Sequence, residues 1–138
     1  MAKPVKYSFS YIIKVAWGEM DAFGHVNNVT YARYFESARA EYFTALAIWN
    51  SPLQPSSGGP LLTHLNLDYR KQVVFPADLD VTMEVTALTS RGFQIHTSMW
   101  NKDNECVVTG EAGLIWYDFQ TGRPATLPKI FRENFPNL

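Results

Sequence analysis

Between positions 7 and 17 the apolar side chains fall on odd positions, Tyr7, Phe9, Tyr11, Ile13, Val15 and Trp17, while Ser, Lys and Ala fill most even ones. A period of two presents one apolar face, so residues 7–17 are expected to form a half-buried strand. After the polar turn "GEMDAFGHVNN" the period lengthens, because Tyr31, Phe35, Ala38, Tyr42, Leu46 and Trp49 recur at intervals of three and four. That spacing draws one stripe along a single long helix. Neither Pro nor Gly interrupts it, and "NSPLQPSSGGP" (residues 50–60) is expected to end it.

Strict alternation then returns. Leu65, Leu67 and Tyr69 alternate with Asn66, Asp68 and Arg70, and Leu79, Val81, Met83 and Val85 with Asp80, Thr82, Glu84 and Thr86. Phe93, Ile95 and Met99 follow an Arg91-Gly92 turn, and "NKDNE" leads into a last strand over residues 106–117. "DFQTGRPATLP" (residues 118–128) reads as a turn and exit, with a short helical piece after Pro128. The order of strand, long helix and four strands gives an α+β fold, an antiparallel sheet of about five strands. It must curl around the helix to cover so aromatic a stripe. Such a sheet leaves an edge exposed, and pairing the edges of two copies removes that liability, so a homodimer or homotetramer is expected.

A length of 138 residues suits one domain spanning residues 1–138. Charged residues make up only 18%, which leaves surface for a partner chain. Twelve basic and 13 acidic side chains give a net charge of −1, so no general attraction to nucleic acid or anionic membrane is expected. An anionic ligand must therefore be held by a local basic cluster. The single cysteine, Cys106, can form no internal disulfide and is expected as a small buried hydrophobe in a reducing cytoplasm. Residues 1–17 hold no unbroken apolar region of signal-peptide type, so no secretory signal is expected, and no apolar run approaches the roughly 20 residues of a membrane span. His64 and His96 fall on separate strands without a spaced set of further ligands, so no metal is expected, and no cofactor.

The chemistry is concentrated in "DAFGHVNN", immediately before the helix. The first backbone N–H groups of a helix have no internal partners and sit at its positive end. Asn27 or Asn28 can cap this end, and a carbonyl oxygen gaining negative charge would be stabilised there. Asp21 supplies a carboxylate able to attack an acyl carbon or take a proton from water. Gly24 allows the tight path that folds it back toward the helix. Each residue also has a plainer reading: Asp21 as a turn residue, the asparagines as caps, His25 as a hydrogen-bonding prop. No GxSxG elbow or Cys/His nucleophile pair competes with this cluster.

The run from Asp21 through Gly24, His25, Val26, Asn27 and Asn28 to Tyr31, Tyr34, Phe35, Glu36 and Arg39 resembles the signature of hotdog-fold acyl-CoA thioesterases of the 4-hydroxybenzoyl-CoA thioesterase type. "VVFPADLDVTMEV" and "DFQTGRPATLP" are similar to further segments of that family, so the resemblance covers nearly the whole chain. It implies a hotdog fold, a curled sheet wrapped around one central helix. It implies hydrolysis of an acyl-CoA, or an acyl-carrier-protein, thioester. Asp21 matches the catalytic acid, as nucleophile or general base, and the backbone N–H at Asn28 matches the group that polarises the thioester carbonyl. Some relatives carry His or Tyr where this chain has Asn28.

His25, Asn27, Tyr31, Tyr34 and Phe35 are expected around the substrate. Arg70, Lys71 and Arg91, with Arg123 also available, are the basic groups for the phosphates of coenzyme A. Glu36 and Arg39 are expected to pair on one helix face, with Glu36 a reserve catalyst. Two other hotdog activities fit less well: a noncatalytic acyl-CoA-binding module, and an enoyl-CoA hydratase using Asp21 with His25.

Overall fold

Six strands form one antiparallel sheet in the computed structural model, which describes residues 8–49 and 58–138. In chain order the elements are β1 (Ser10–Lys14), α1 (Asn28–Ala45), β2 (Gly58–Tyr69), β3 (Asp78–Leu88), β4 (Gly92–Trp100), β5 (Cys106–Asp118), β6 (Arg123–Pro124) and α2 (Lys129–Asn134). Across the sheet the order is β1-β3-β4-β5-β2, and β6 pairs with the last residues of β5. Period-two alternation puts Leu79, Val81 and Met83 of β3 and Ile95 and Met99 of β4 on the same face. These side chains meet Phe35 and Ala38 of α1 in one core, all without measurable exposure. Register shifts between Val85 and Ala87 and between Leu62 and His64 mark bulges, the device that bends a strand and increases its twist. The sheet therefore curls over the helix as the hotdog arrangement requires.

Several boundaries differ from the sequence pattern, each for a local reason. The first strand is shorter than residues 7–17: it ends at Lys14, and Tyr7 lies outside the described residues. Glu19 folds back to accept a bond from the Ala16 N–H (2.7 Å), closing a single 3-10 turn, Trp17–Glu19. Trp17 is left 77% exposed, although its position continued the apolar alternation.

The helix stops earlier than the 50–60 segment. Leu46 is its last, half-helical residue, and Ala47 turns into the left-handed region with φ 57°. Residues 50–57 lie outside the described residues, and Gly58–Tyr69 takes the last part of the expected breaker into β2. Gly58 pairs with Asp118, where an added Cβ would come within 2.7 Å of the Trp116 indole nitrogen, so the glycine there serves close packing. The exit segment contributes the two-residue strand β6, and the short helix after Pro128 is present as α2.

Candidate active site

Everything near the helix entrance depends on how residues 20–27 are closed. Met20 and Val26 form an antiparallel bridge, the Asp21 N–H donates to the His25 carbonyl (2.8 Å), and the Gly24 N–H donates to the Asp21 carbonyl (3.1 Å). Gly24 lies at φ 81°, a conformation that side-chain-bearing residues rarely adopt. Asp21 Oδ1 accepts from the Phe23 N–H at 2.9 Å and, more weakly, from the His25 N–H at 3.4 Å. Asp21 is thus a turn residue, as the plain reading held. Its Oδ2 meets no protein donor among the described residues, so one oxygen remains for chemistry.

Asn27 settles which asparagine caps the helix, since its side-chain oxygen accepts from the Val29 N–H at 3.2 Å. Its own N–H donates to the Glu19 carbonyl at 2.9 Å, which ties the entrance to the preceding 3-10 turn. Asn28 is then the first residue of α1, and its N–H has no protein acceptor among the described residues. From the other side, the Tyr69 hydroxyl at the end of β2 donates to the Asn28 carbonyl at 3.1 Å. The Tyr69 ring also packs against Tyr31, with centroids 5.5 Å apart.

A cleft of about 580 Å³ opens at this point. Asp21, His25, Asn28 and Tyr31 line it, joined by Arg70 and Lys71 from the segment that follows β2. The structure therefore gathers six of the ten expected site residues into one concavity. Tyr31 is a buried ring whose phenol is pushed up to about 12, first by burial, then by Tyr69 and by the charge of Asp21. It stands as a neutral donor beside the carboxylate.

The other four expectations are not met within one chain. Asn27 is absent from the lining because its side chain is spent on the cap. Tyr34 turns away, and its hydroxyl donates to Glu19 Oε1 at 2.5 Å. Phe35 has no exposure and belongs to the core under the sheet. Arg91 sits in the β3–β4 turn, where its carbonyl accepts from Trp116, whereas Arg70 bonds to Val107. Val107 and Trp116 are near opposite ends of β5, roughly 30 Å apart at the usual rise per residue. Arg123, paired with Asp118, is at that same far end.

Glu36 is exposed on α1 and does not line the cleft. It forms no ion pair with Arg39, whose guanidinium lies 4.9 Å above the Phe35 ring instead. Sequence reasoning missed Glu19 and Tyr69. Glu19 was visible only as one polar residue of a turn, and Tyr69 only as one apolar beat of a strand. Among the described residues, no group of three His, Cys, Asp or Glu side chains could hold a metal ion. Cys106 is buried, and burial raises its thiol pKa.

Known proteins share the family and the fold of this chain. Residues 15–135 match the model of the thioesterase-like superfamily. The Bacillus subtilis protein YsmA is 30% identical over 120 residues, which cover 86% of this chain and 80% of that protein. The solved structure of the PA2801 protein from Pseudomonas aeruginosa superposes with a TM-score of 0.85 at 27% identity, covering 94% of this chain and 98% of that one. A thioesterase of Thermus thermophilus, solved with coenzyme A and zinc, gives 0.79 at 25% identity, covering 93% and 97%. With a family match over nearly its full length and a hotdog sheet closed around one helix, this chain belongs to the thioesterase-like superfamily.

Proposed function

We propose that the chain is an acyl-CoA thioesterase that splits a thioester with water into a free acid and coenzyme A. The observation that carries this reading is that the free oxygen of Asp21 and the unpartnered N–H of Asn28 belong to residues lining one cleft. In the proposed reaction the thioester carbonyl oxygen points at the start of α1. Charge developing on that oxygen meets an amide already oriented toward it and the positive end of an 18-residue helix. Asp21 either attacks the carbonyl carbon or draws the proton from an attacking water. The C–S bond then breaks, and sulfur leaves as a thiolate, which needs far less protonation than an amine would. Tyr31, neutral at ordinary pH, can hydrogen-bond the acyl group or the water beside Asp21. Coenzyme A as the carrier is supported by its presence in the Thermus thermophilus structure.

The test is a panel of aliphatic and aryl acyl-CoAs, followed by release of free thiol, for the native chain and Asp21→Asn. Native turnover with a loss of at least about a hundredfold in kcat for the variant is expected, the lower range for removing a general base. Thiol release also separates hydrolysis from hydration or simple binding, neither of which frees coenzyme A. Near-native rates in Asp21→Asn would remove the carboxylate from the mechanism. In the nucleophilic route a mixed anhydride of Asp21 forms as the thiolate leaves, and water then opens it. Label found on Asp21 after a single turnover in heavy-oxygen water would establish the nucleophile, whereas general-base attack labels the acid product alone.

The working unit is proposed to be a homodimer. Among the described residues β2 pairs with β5 on one side only, and Leu61 and Leu62 on it are exposed. A 12-residue strand with an open edge invites a second copy to continue the sheet. Sedimentation at twice the mass of one chain is expected, and a monomer at assay concentrations would refute it.

A further inference from the structure

The two adjacent cations at the cleft mouth are not equivalent, and the difference lies in what each already holds. The Arg70 Nε–H donates to Thr109 Oγ1 at 3.1 Å, and its backbone N–H donates to the Val107 carbonyl at 2.8 Å. Thr109 is nearly buried on β5, so the guanidinium is fixed by a neutral partner. Among the described residues no carboxylate lies within ion-pair distance of Arg70. Its full charge and four of its five N–H donors remain available in a planar fork.

Lys71 is in the opposite condition. Its ammonium is hydrogen-bonded to the Glu105 carboxylate. Glu105 is itself held in place by the β4–β5 turn: Asn101 Nδ2 donates to Glu105 Oε1 (3.1 Å), and Asn101 Oδ1 accepts from the Glu105 N–H (3.0 Å). The Lys71 and Asn101 bonds lower the carboxyl pKa, so the ammonium of Lys71 already engages a carboxylate, as the guanidinium of Arg70 does not.

We propose that Arg70, and not Lys71, is the anchor for the anionic part of the substrate. This rests on the reading of the cleft as a thioester site and specifies which residue selects what enters it. The group recognised is an oxyanion able to take two parallel N–H bonds. Two sources carry that chemistry, a phosphate of coenzyme A or a carboxylate on the acyl chain.

The experiment compares KM and kcat for native protein, Arg70→Gln, Arg70→Lys and Lys71→Gln on matched thioesters. Each acyl group, one neutral and one ending in a carboxylate, is presented on coenzyme A and on N-acetylcysteamine, which lacks the phosphates. Arg70→Gln is expected to raise KM by about tenfold or more, the usual effect of losing a charge-assisted hydrogen bond, while kcat changes little. Arg70→Lys keeps the charge but loses the fork and the Thr109 bond, so it should fall between. Lys71→Gln should move KM by no more than about fivefold, as expected for one half of an exposed ion pair.

A defect seen with neutral acyl-CoA and gone with its N-acetylcysteamine counterpart identifies a phosphate. A defect that persists only with the carboxylated acyl group identifies that carboxylate. Thermal melting of Arg70→Gln checks that the fold is intact, and the intermediate rank of Arg70→Lys gives a second readout. The proposal falls if native protein hydrolyses thioesters and Arg70→Gln leaves KM unchanged on all of them, or if Lys71→Gln has the larger effect. If native protein hydrolyses none and calorimetry detects no binding of coenzyme A, the reading of the cleft falls and the anchor with it.

Discussion

Ala47 occupies the left-handed region at φ 57°, where a Cβ crowds the following carbonyl. Its N–H donates to the Thr44 carbonyl (3.1 Å), and the Ile48 N–H reaches back to the Phe43 carbonyl (3.0 Å). These two bonds form the Schellman closure that normally selects glycine. Ala47→Gly removes the crowding and gives back part of the gain by loosening the unfolded chain, so a net stabilisation of about 0.5–1 kcal/mol is expected. A higher urea midpoint with an unchanged slope is the measurement; no shift would mean that the alanine is unstrained. At this scale the chain was legible where a residue type itself carries the geometry. Gly24 announced a positive φ, Asp21 and the paired asparagines announced a turn and a cap, and lone Cys106 announced burial. Ala47 and Trp17 carry no such mark. One is placed by backbone bonds it happens to close, the other by a glutamate two residues away that pulls the chain out of the strand.

The link between α1 and the sheet depends on a hydroxyl. β3 bulges between Val85 and Ala87, and the Val85 N–H donates to the Tyr42 hydroxyl at 3.3 Å, deep in the interior. Tyr42→Phe keeps the ring and its contact with Phe9 but leaves that amide buried without an acceptor. A loss of about 1–3 kcal/mol is expected, with faster hydrogen exchange at the Val85 amide than at its strand neighbours. An unchanged melting curve would show that the bulge finds another acceptor. Periodicity located α1, β3 and β4 because their inward faces are apolar with the right repeat, while β5 was bounded by the turn residues on either side of it. It misjudged β2 at its start, because Gly58, Gly59 and Pro60 are breakers taken one at a time. Pairing with β5 and a close fit against Trp116 hold them in the sheet. The same limit applied to Tyr34 and Phe35: helical spacing says which residues share a side of α1, while contact with Glu19 or the core decides which leave the cleft.

At the scale of the whole molecule, three phenols, Tyr31, Tyr34 and Tyr42, are buried and kept protonated. Tyr31 is pushed up to about 12 by burial, Tyr69 and Asp21. Tyr34 is raised further by burial and its bond to Glu19, and Tyr42 is raised by burial. An unfolded tyrosine releases its proton near pH 10, so above that value the unfolded chain gives up protons before the folded one does. Their contribution to stability is therefore complete below about pH 10 and is lost as pH rises through the folded values. Urea midpoints are expected to fall steadily from about pH 10 to 12, and the tyrosinate absorbance of the folded protein should lag behind that of the unfolded chain. Flat midpoints across that interval would contradict the burial of these rings. The fold class and the place of the chemistry were legible because the motif sits where two periodicities meet. The inequality of Arg70 and Lys71 was not, since Thr109 and Glu105 lie more than thirty residues onward and only folding brings them near.

Tyr69 terminates β2 and at the same time grips the carbonyl of Asn28. One phenol thus ties the outermost strand to the first residue of α1, at the peptide that follows the N–H offered to the reacting bond. If a sister molecule docks along that strand, dilution should lower the activity per molecule and the melting temperature together, because the stability of a pair depends on its concentration.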